Sequence, residues 1–229
     1  KLTNLQKSLF ILKDNKEIAS DLLFLLGINA VNNNNMDIAY KFFLNSYDKS
    51  YSRTDKDKSL FWLYLVTQDK SFLNELTTSF DNSIYSLYAK ELLNIKPNNI
   101  IYKIQLKNQK SSYNIYDAFK WIEVTEDNKK NLDEKKLMKY YNIFTDENTL
   151  PHMAFVLQRY YKYKTQYYIT PFRNLIRHYD IYKQVLIYSI ARQESQFIPA
   201  AISFSSAQGI MQIMPFLSFN ISKKLNEDY

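Results

Sequence analysis

Two glycines and five prolines in 229 residues leave this chain almost without backbone breakers. Sandwiches and barrels turn often and use Gly and Pro to do so, so this scarcity argues for helices and against both. The hydrophobic share of 46% is enough for a real core, and the length allows one large or two smaller domains. Twenty Tyr and fifteen Phe supply bulky groups to fill the gaps between helices.

Apolar spacing supports that reading. It predicts helices over Asp21–Val31, Met36–Tyr47, Asp57–Thr67, Ser71–Phe80, Ile84–Leu93, Tyr113–Val124, Leu132–Phe144 and Leu150–Tyr163. Asn32 to Asn35 is a polar break, Ser83 is a candidate cap, and Pro97-Asn98-Asn99 is a turn. Helices of about 10–14 residues joined by short loops suggest hairpins stacked as an α-solenoid. The character changes near 165–168. Thr170-Pro171 opens a helix over Phe172–Tyr179, and a longer one follows over Ile181–Gln196. The fold class is therefore all-α, with a solenoid over 1–166 and a second domain starting at 167.

A net charge of +7 suits an anionic partner. The lysines are scattered rather than massed in a stripe, which speaks against nucleic acid. Cysteine is absent, removing disulfides, thiol catalysis and thiolate metal sites. His152 and His178 are far apart and lack companion carboxylates, so neither a metal nor a cofactor is expected. No apolar run reaches the roughly 18–20 residues of a membrane span. The opening Lys1-Leu2-Thr3-Asn4 is unlike a signal peptide, so a processed chain is expected.

One stretch carries chemistry. Ile187, Ile190 and Glu194 share a helical face, so an inward-packed face would end in a carboxylate. Burial favours the protonated form of such a group, which can then donate to a leaving oxygen. Pro199 stops the helix, and Gly209 is expected to open a short helix through Met214 before Pro215.

Glu194-Ser195-Gln196-Phe197, Ala201-Ile202-Ser203 and Gly209-Ile210-Met211-Gln212-Ile213-Met214-Pro215 resemble the catalytic motifs of the soluble lytic murein transglycosylases, relatives of goose-type lysozyme. The blocks stand in the family's order and separation, and Arg192-Gln193 fits as well. The clear match covers roughly 168–229, and the helical N-terminal part is similar in style to the family's superhelical domain.

The resemblance implies a lysozyme-like catalytic domain. It implies cleavage of the β-1,4 bond between N-acetylmuramic acid and N-acetylglucosamine in peptidoglycan, a carbon-oxygen lyase reaction that leaves a 1,6-anhydromuramoyl end. Glu194 would be the single acid and base, helped by the substrate's N-acetyl group. Ser203 and Gly209 would lie at the cleft, Gln212 would offer its amide to a sugar, and Met211 and Met214 would face sugar rings. A periplasmic or envelope location, a role in murein turnover and other cell-wall enzymes as partners are implied as well.

Two departures stand out. Ser205-Ser206-Ala207 occupies a place where many relatives have a glycine. The family's later Ala-Tyr-Asn motif has no counterpart before Tyr229. The expectation is a truncated catalytic domain, inactive as this 229-residue piece. The alternatives are a helical scaffold that binds peptidoglycan or a protein without catalysis, and a lysozyme-type hydrolase.

Overall fold

The structure is a computed structural model that describes residues 2–15, 17–129 and 131–227. Among the described residues the fold is all-α apart from one two-residue parallel ladder, Ile100–Ile101 with Gln166–Tyr167, and the isolated bridges Ile202–Gln208 and Gln208–Ile213. Its contacts divide it into two compact units, Lys1–Asn99 and Ile100–Tyr229.

The first unit holds α1 (Leu2–Ser8), a 3-10 turn (Leu9–Asp14), α2 (Ser20–Asn32), α3 (Met36–Lys49), α4 (Arg53–Thr67), α5 (Lys70–Thr77) and α6 (Ile84–Leu92). From α2 onward each helix packs mainly on its neighbours in sequence, the logic of stacked helical hairpins. Side chains of Asn35, Ser52, Asp69 and Ser83 accept backbone N–H groups at the starts of α3 to α6. The core is Leu23, Phe42, Phe43, Leu60, Leu63, Leu73 and Leu76, all buried.

One charged knot is set into it. Asp57 pairs with Arg53 Nε at 2.8 Å and accepts from Ser79 Oγ at 2.5 Å, while Lys90 Nζ donates to the Ser79 carbonyl at 3.2 Å. Burial pushes the Asp57 carboxyl up, against the opposing pull of Ser79 and Arg53.

Gly27 is where α2 lies close against α3. A Cβ built there would stand 2.4 Å from Phe43 Cε1, inside a cluster that includes Phe24 and Trp62. Gly27→Ala gains up to about 1 kcal/mol of helix propensity but overpacks the core by about 1–3 kcal/mol. We expect a net loss of about 1–2 kcal/mol in urea unfolding, largely restored when Phe43→Leu is added.

The second unit holds α7 (Ala118–Lys129), α8 (Glu134–Ile143), α9 (Leu150–Tyr160), α10 (Arg173–Ile176), α11 (Ile181–Ser195) and α12 (Pro215–Leu225). α7 starts five residues later than Tyr113: Asn114 takes the N–H of Tyr116 into a turn, and Asp117 then caps the helix by accepting from Phe119 N and Lys120 N. The helix expected to run to Tyr163 ends at Tyr160, and Lys162 and Tyr163 adopt positive φ.

α9 is the axis of this unit: Pro151 through Gln158 are all buried. Trp121, Tyr140 and Phe144 pack around it, and so do Ala191, Phe197, Ile198 and Ala200 from the segment bearing Glu194. The residues after 167 therefore share one core with α7–α9.

Candidate active site

α11 is set by its two ends. Asp180 caps it, accepting from Lys183 N at 3.0 Å. At the other end Gln196 (φ 54) and Phe197 (φ 67) both take the left-handed conformation, and their N–H groups return to the carbonyls of Arg192 and Ala191. Two consecutive non-Gly residues there cost of order 1–3 kcal/mol each. The burial of Phe197, its ring 5.8 Å from that of Tyr188, holds the turn in place.

Glu194 sits on the last turn of α11, and it is exposed. The expectation of an inward-facing acid is thus corrected. Only Ala191 of α11 is fully buried, and the half-buried stripe runs through Gln184, Ile187, Tyr188, Ala191, Arg192 and Ser195. At about 100° per residue Glu194 lies roughly 60° around the axis from Ala191. Ile190, on which the expectation leaned, is itself 39% exposed.

The acid's neighbour fastens the loop to the helix. Ser195 Oγ donates to the Ile210 carbonyl at 2.7 Å. This brings the Gly209–Met214 block against the turn that bears Glu194. That block is a pair of closed turns, not the short helix expected. Gln208 and Ile213 exchange two backbone hydrogen bonds at 3.0 Å, and Gly209 N donates to Ala201 O at 2.9 Å. Met, Gln and Ile suit a helix locally, but these longer-range bonds and the positive φ of Gly209 (73) and Gln212 (48) prevent one.

Each remaining candidate has a definite place. At Gly209 the dihedral rather than space demands glycine, since a Cβ would meet only Pro199 O at 3.8 Å. Gln212 Nε2 donates to Ala201 O at 3.1 Å and to Gly209 O at 2.9 Å, so it staples the loop instead of offering both amide functions to a sugar. Ser203 Oγ accepts from Ala207 N at 3.0 Å and keeps a proton to donate. Ser206 takes φ 66. Met211 packs on the core of the unit, and half-buried Met214 directly precedes α12, with Pro215 at its first position.

Two grooves flank α11 that periodicity did not reveal. On the side of Glu194 an apolar groove of about 180 Å³ is lined by Phe172, Leu175, Ile187, Ala191, Ile210 and Met211. On the other side a pocket of about 330 Å³ contains Arg192. Among the described residues no group of three or more His, Asp or Glu side chains is placed to hold a metal ion.

Residues 174–229 match the family model of the transglycosylase SLT domain. The SLT segment thus takes in α11, the Gly209 loop and α12. Among solved structures the chain is similar to the crystal structure of the 70 kDa soluble lytic transglycosylase SLT70 from Escherichia coli, at 18% identity and a TM-score of 0.49. The alignment covers 94% of this chain and 38% of that one, so the chain spans well under half of its length. No curated protein sequence matches the chain.

Proposed function

We propose that the chain carries the acid-bearing part of a peptidoglycan lytic transglycosylase. It would cleave the β-1,4 bond between N-acetylmuramic acid and N-acetylglucosamine and form a 1,6-anhydromuramoyl end. The observation that carries this reading is the Ser195–Ile210 hydrogen bond, which fixes the Gly209 loop beside the helix turn of Glu194 within the SLT segment. The catalytic domain would begin near 167, behind a helical region over 1–166, in a protein of the periplasm or envelope. Ser203, Gly209, Met211 and Met214 would shape the sugar subsite, with Gln212 holding their loop.

A two-carboxylate mechanism needs its acids about 5–9.5 Å apart. Asp180, the next acid before Glu194 in sequence, caps the far end of the same helix, fourteen residues or about 21 Å away. A single carboxyl can suffice if the substrate supplies the rest. Glu194 would protonate the glycosidic oxygen while the neighbouring N-acetyl oxygen stabilises the cationic C1. The resulting carboxylate would then take the proton of the muramoyl O6 hydroxyl as that oxygen closes on C1. Ring closure within one sugar has a high effective concentration over attack by water.

The exposure of Glu194 is the observation that favours the alternative, a helical scaffold that binds the wall without cutting it. Mass spectrometry of purified sacculi treated with the longest natural form of the chain separates the readings. Released fragments lighter by one water than reducing ends are expected. Reducing ends would make the protein a hydrolase, and no release at all would leave the scaffold.

A further inference from the structure

The pocket across α11 from Glu194 has its own chemistry. Tyr168, Thr170, Val185, Tyr188, Ser189 and Arg192 line it, over Phe197, and none of its lining residues is acidic. The hydroxyls of Ser189 and Tyr188 are turned to backbone carbonyls, those of Val185 at 2.8 Å and Pro171 at 3.1 Å. The Arg192 guanidinium lies 4.1 Å over the Tyr168 ring and donates from Nη2 to Gln166 Oε1 at 3.1 Å. A stacked and tethered guanidinium is already oriented, and its remaining N–H groups form a fork that matches a carboxylate.

The geometry points to a site for the free carboxylate of a short peptide. The aliphatic part would lie on Val185 and Phe197, the carboxylate on Arg192, and exposed Thr170 would stand at the rim. This rests on the peptidoglycan reading only for the glycan to which the peptide is attached. Arg192 and Glu194 are about 200° apart around α11, so their side chains project from opposite flanks of a helix about 10–12 Å wide. Three or four extended residues, at about 3.3–3.6 Å each, bridge that width. A stem of three or more residues on the sugar being cut can therefore place its terminal carboxylate on Arg192, while a one-residue stem cannot.

Two measurements test this. In the first, N-acetyl-alanyl-alanine in L and D forms, and the corresponding C-terminal amides, are titrated into the chain by calorimetry. At least one acid form is expected to bind about tenfold more tightly than its amide, as suits a charge-assisted pair. That preference is lost in Arg192→Gln. Because this change also removes the Tyr168 and Gln166 contacts, Ser189→Leu, which fills the pocket and leaves Arg192 in place, is expected to abolish acid binding too. Equal binding of acid and amide, or a preference that survives both variants, overturns the site. No turnover is needed here, so the result is independent of Glu194.

In the second, KM is compared on glycan chains with intact stems and on chains stripped of them. Arg192→Gln is expected to raise KM at least about fivefold on the stemmed chains only, with kcat unchanged. An equal rise on both substrates overturns the peptide assignment. Absence of turnover on either by the parent protein counts against the enzymatic reading instead.

Discussion

Glu194→Gln is expected to lower turnover of purified sacculi by about a thousandfold, within the 10²–10⁴ range of a positioned general acid. Gln keeps the size and hydrogen-bonding reach of the side chain and removes only the transferable proton. Glu194 is exposed on the last turn of α11, and substitutions at such positions usually move stability by no more than about 0.5 kcal/mol. The thermal midpoint is therefore expected to stay put while release of anhydro ends falls away. Glu194→Asp withdraws the carboxyl by about one methylene, and a misplacement of about 1 Å can cost 10²-fold, so partial activity below the parent is expected. A Gln variant that still releases anhydro ends would remove Glu194 as the acid.

What the chain discloses in advance is local. α3 starts after Asn35 and α6 after Ser83, whose side chains accept the first free N–H groups. α11 runs from Ile181 to Ser195, within one residue of the expected span, because Asp180 caps it and a left-handed turn before Pro199 ends it. Signals confined to four or five residues are visible in sequence because their partners are visible too.

The parts that escaped depend on distant partners. Ile100–Ile101 pairs with Gln166–Tyr167, and nothing near either dipeptide announces the other. Gly209 to Met214 has helix-forming residues, yet Ala201 O draws both Gly209 N and Gln212 Nε2 and closes turns instead. The spacing of Ile187, Ile190 and Glu194 correctly put them along one side of α11, but spacing cannot say whether that side is covered. Only Ala191 is. The motif block around Glu194 was legible for another reason: its order and separation are specific even where burial is not.

The second large effect is on stability. The folded second unit is expected to lose about 3 kcal/mol between pH 6.5 and pH 4 through His152 alone. The ring is fully buried, boxed by Tyr113, Trp121 and Phe144 with centroids 5.2, 5.3 and 5.3 Å away, and neither nitrogen meets a hydrogen-bond partner among the described residues. Burial lowers its pKa to about 4 from 6.5, with Asp146 pulling weakly the other way. Above pH 6.5 His152 is neutral both folded and unfolded, and its stabilising contribution is complete. As pH falls from 6.5 the unfolded chain takes up a proton that the folded chain refuses, so stability drops until the folded ring also titrates near pH 4. Between pH 7 and pH 5 the expected loss is about 2 kcal/mol. Urea unfolding followed by Trp fluorescence measures it, with Trp62→Phe leaving Trp121, which touches His152, as the sole reporter of this unit. His152→Phe keeps an aromatic ring in the box and removes both orphaned nitrogens, so its stability should be nearly flat across that interval. A slope that persists in the variant assigns the titration to another group, and no slope in the parent means that the buried ring meets its proton at no cost.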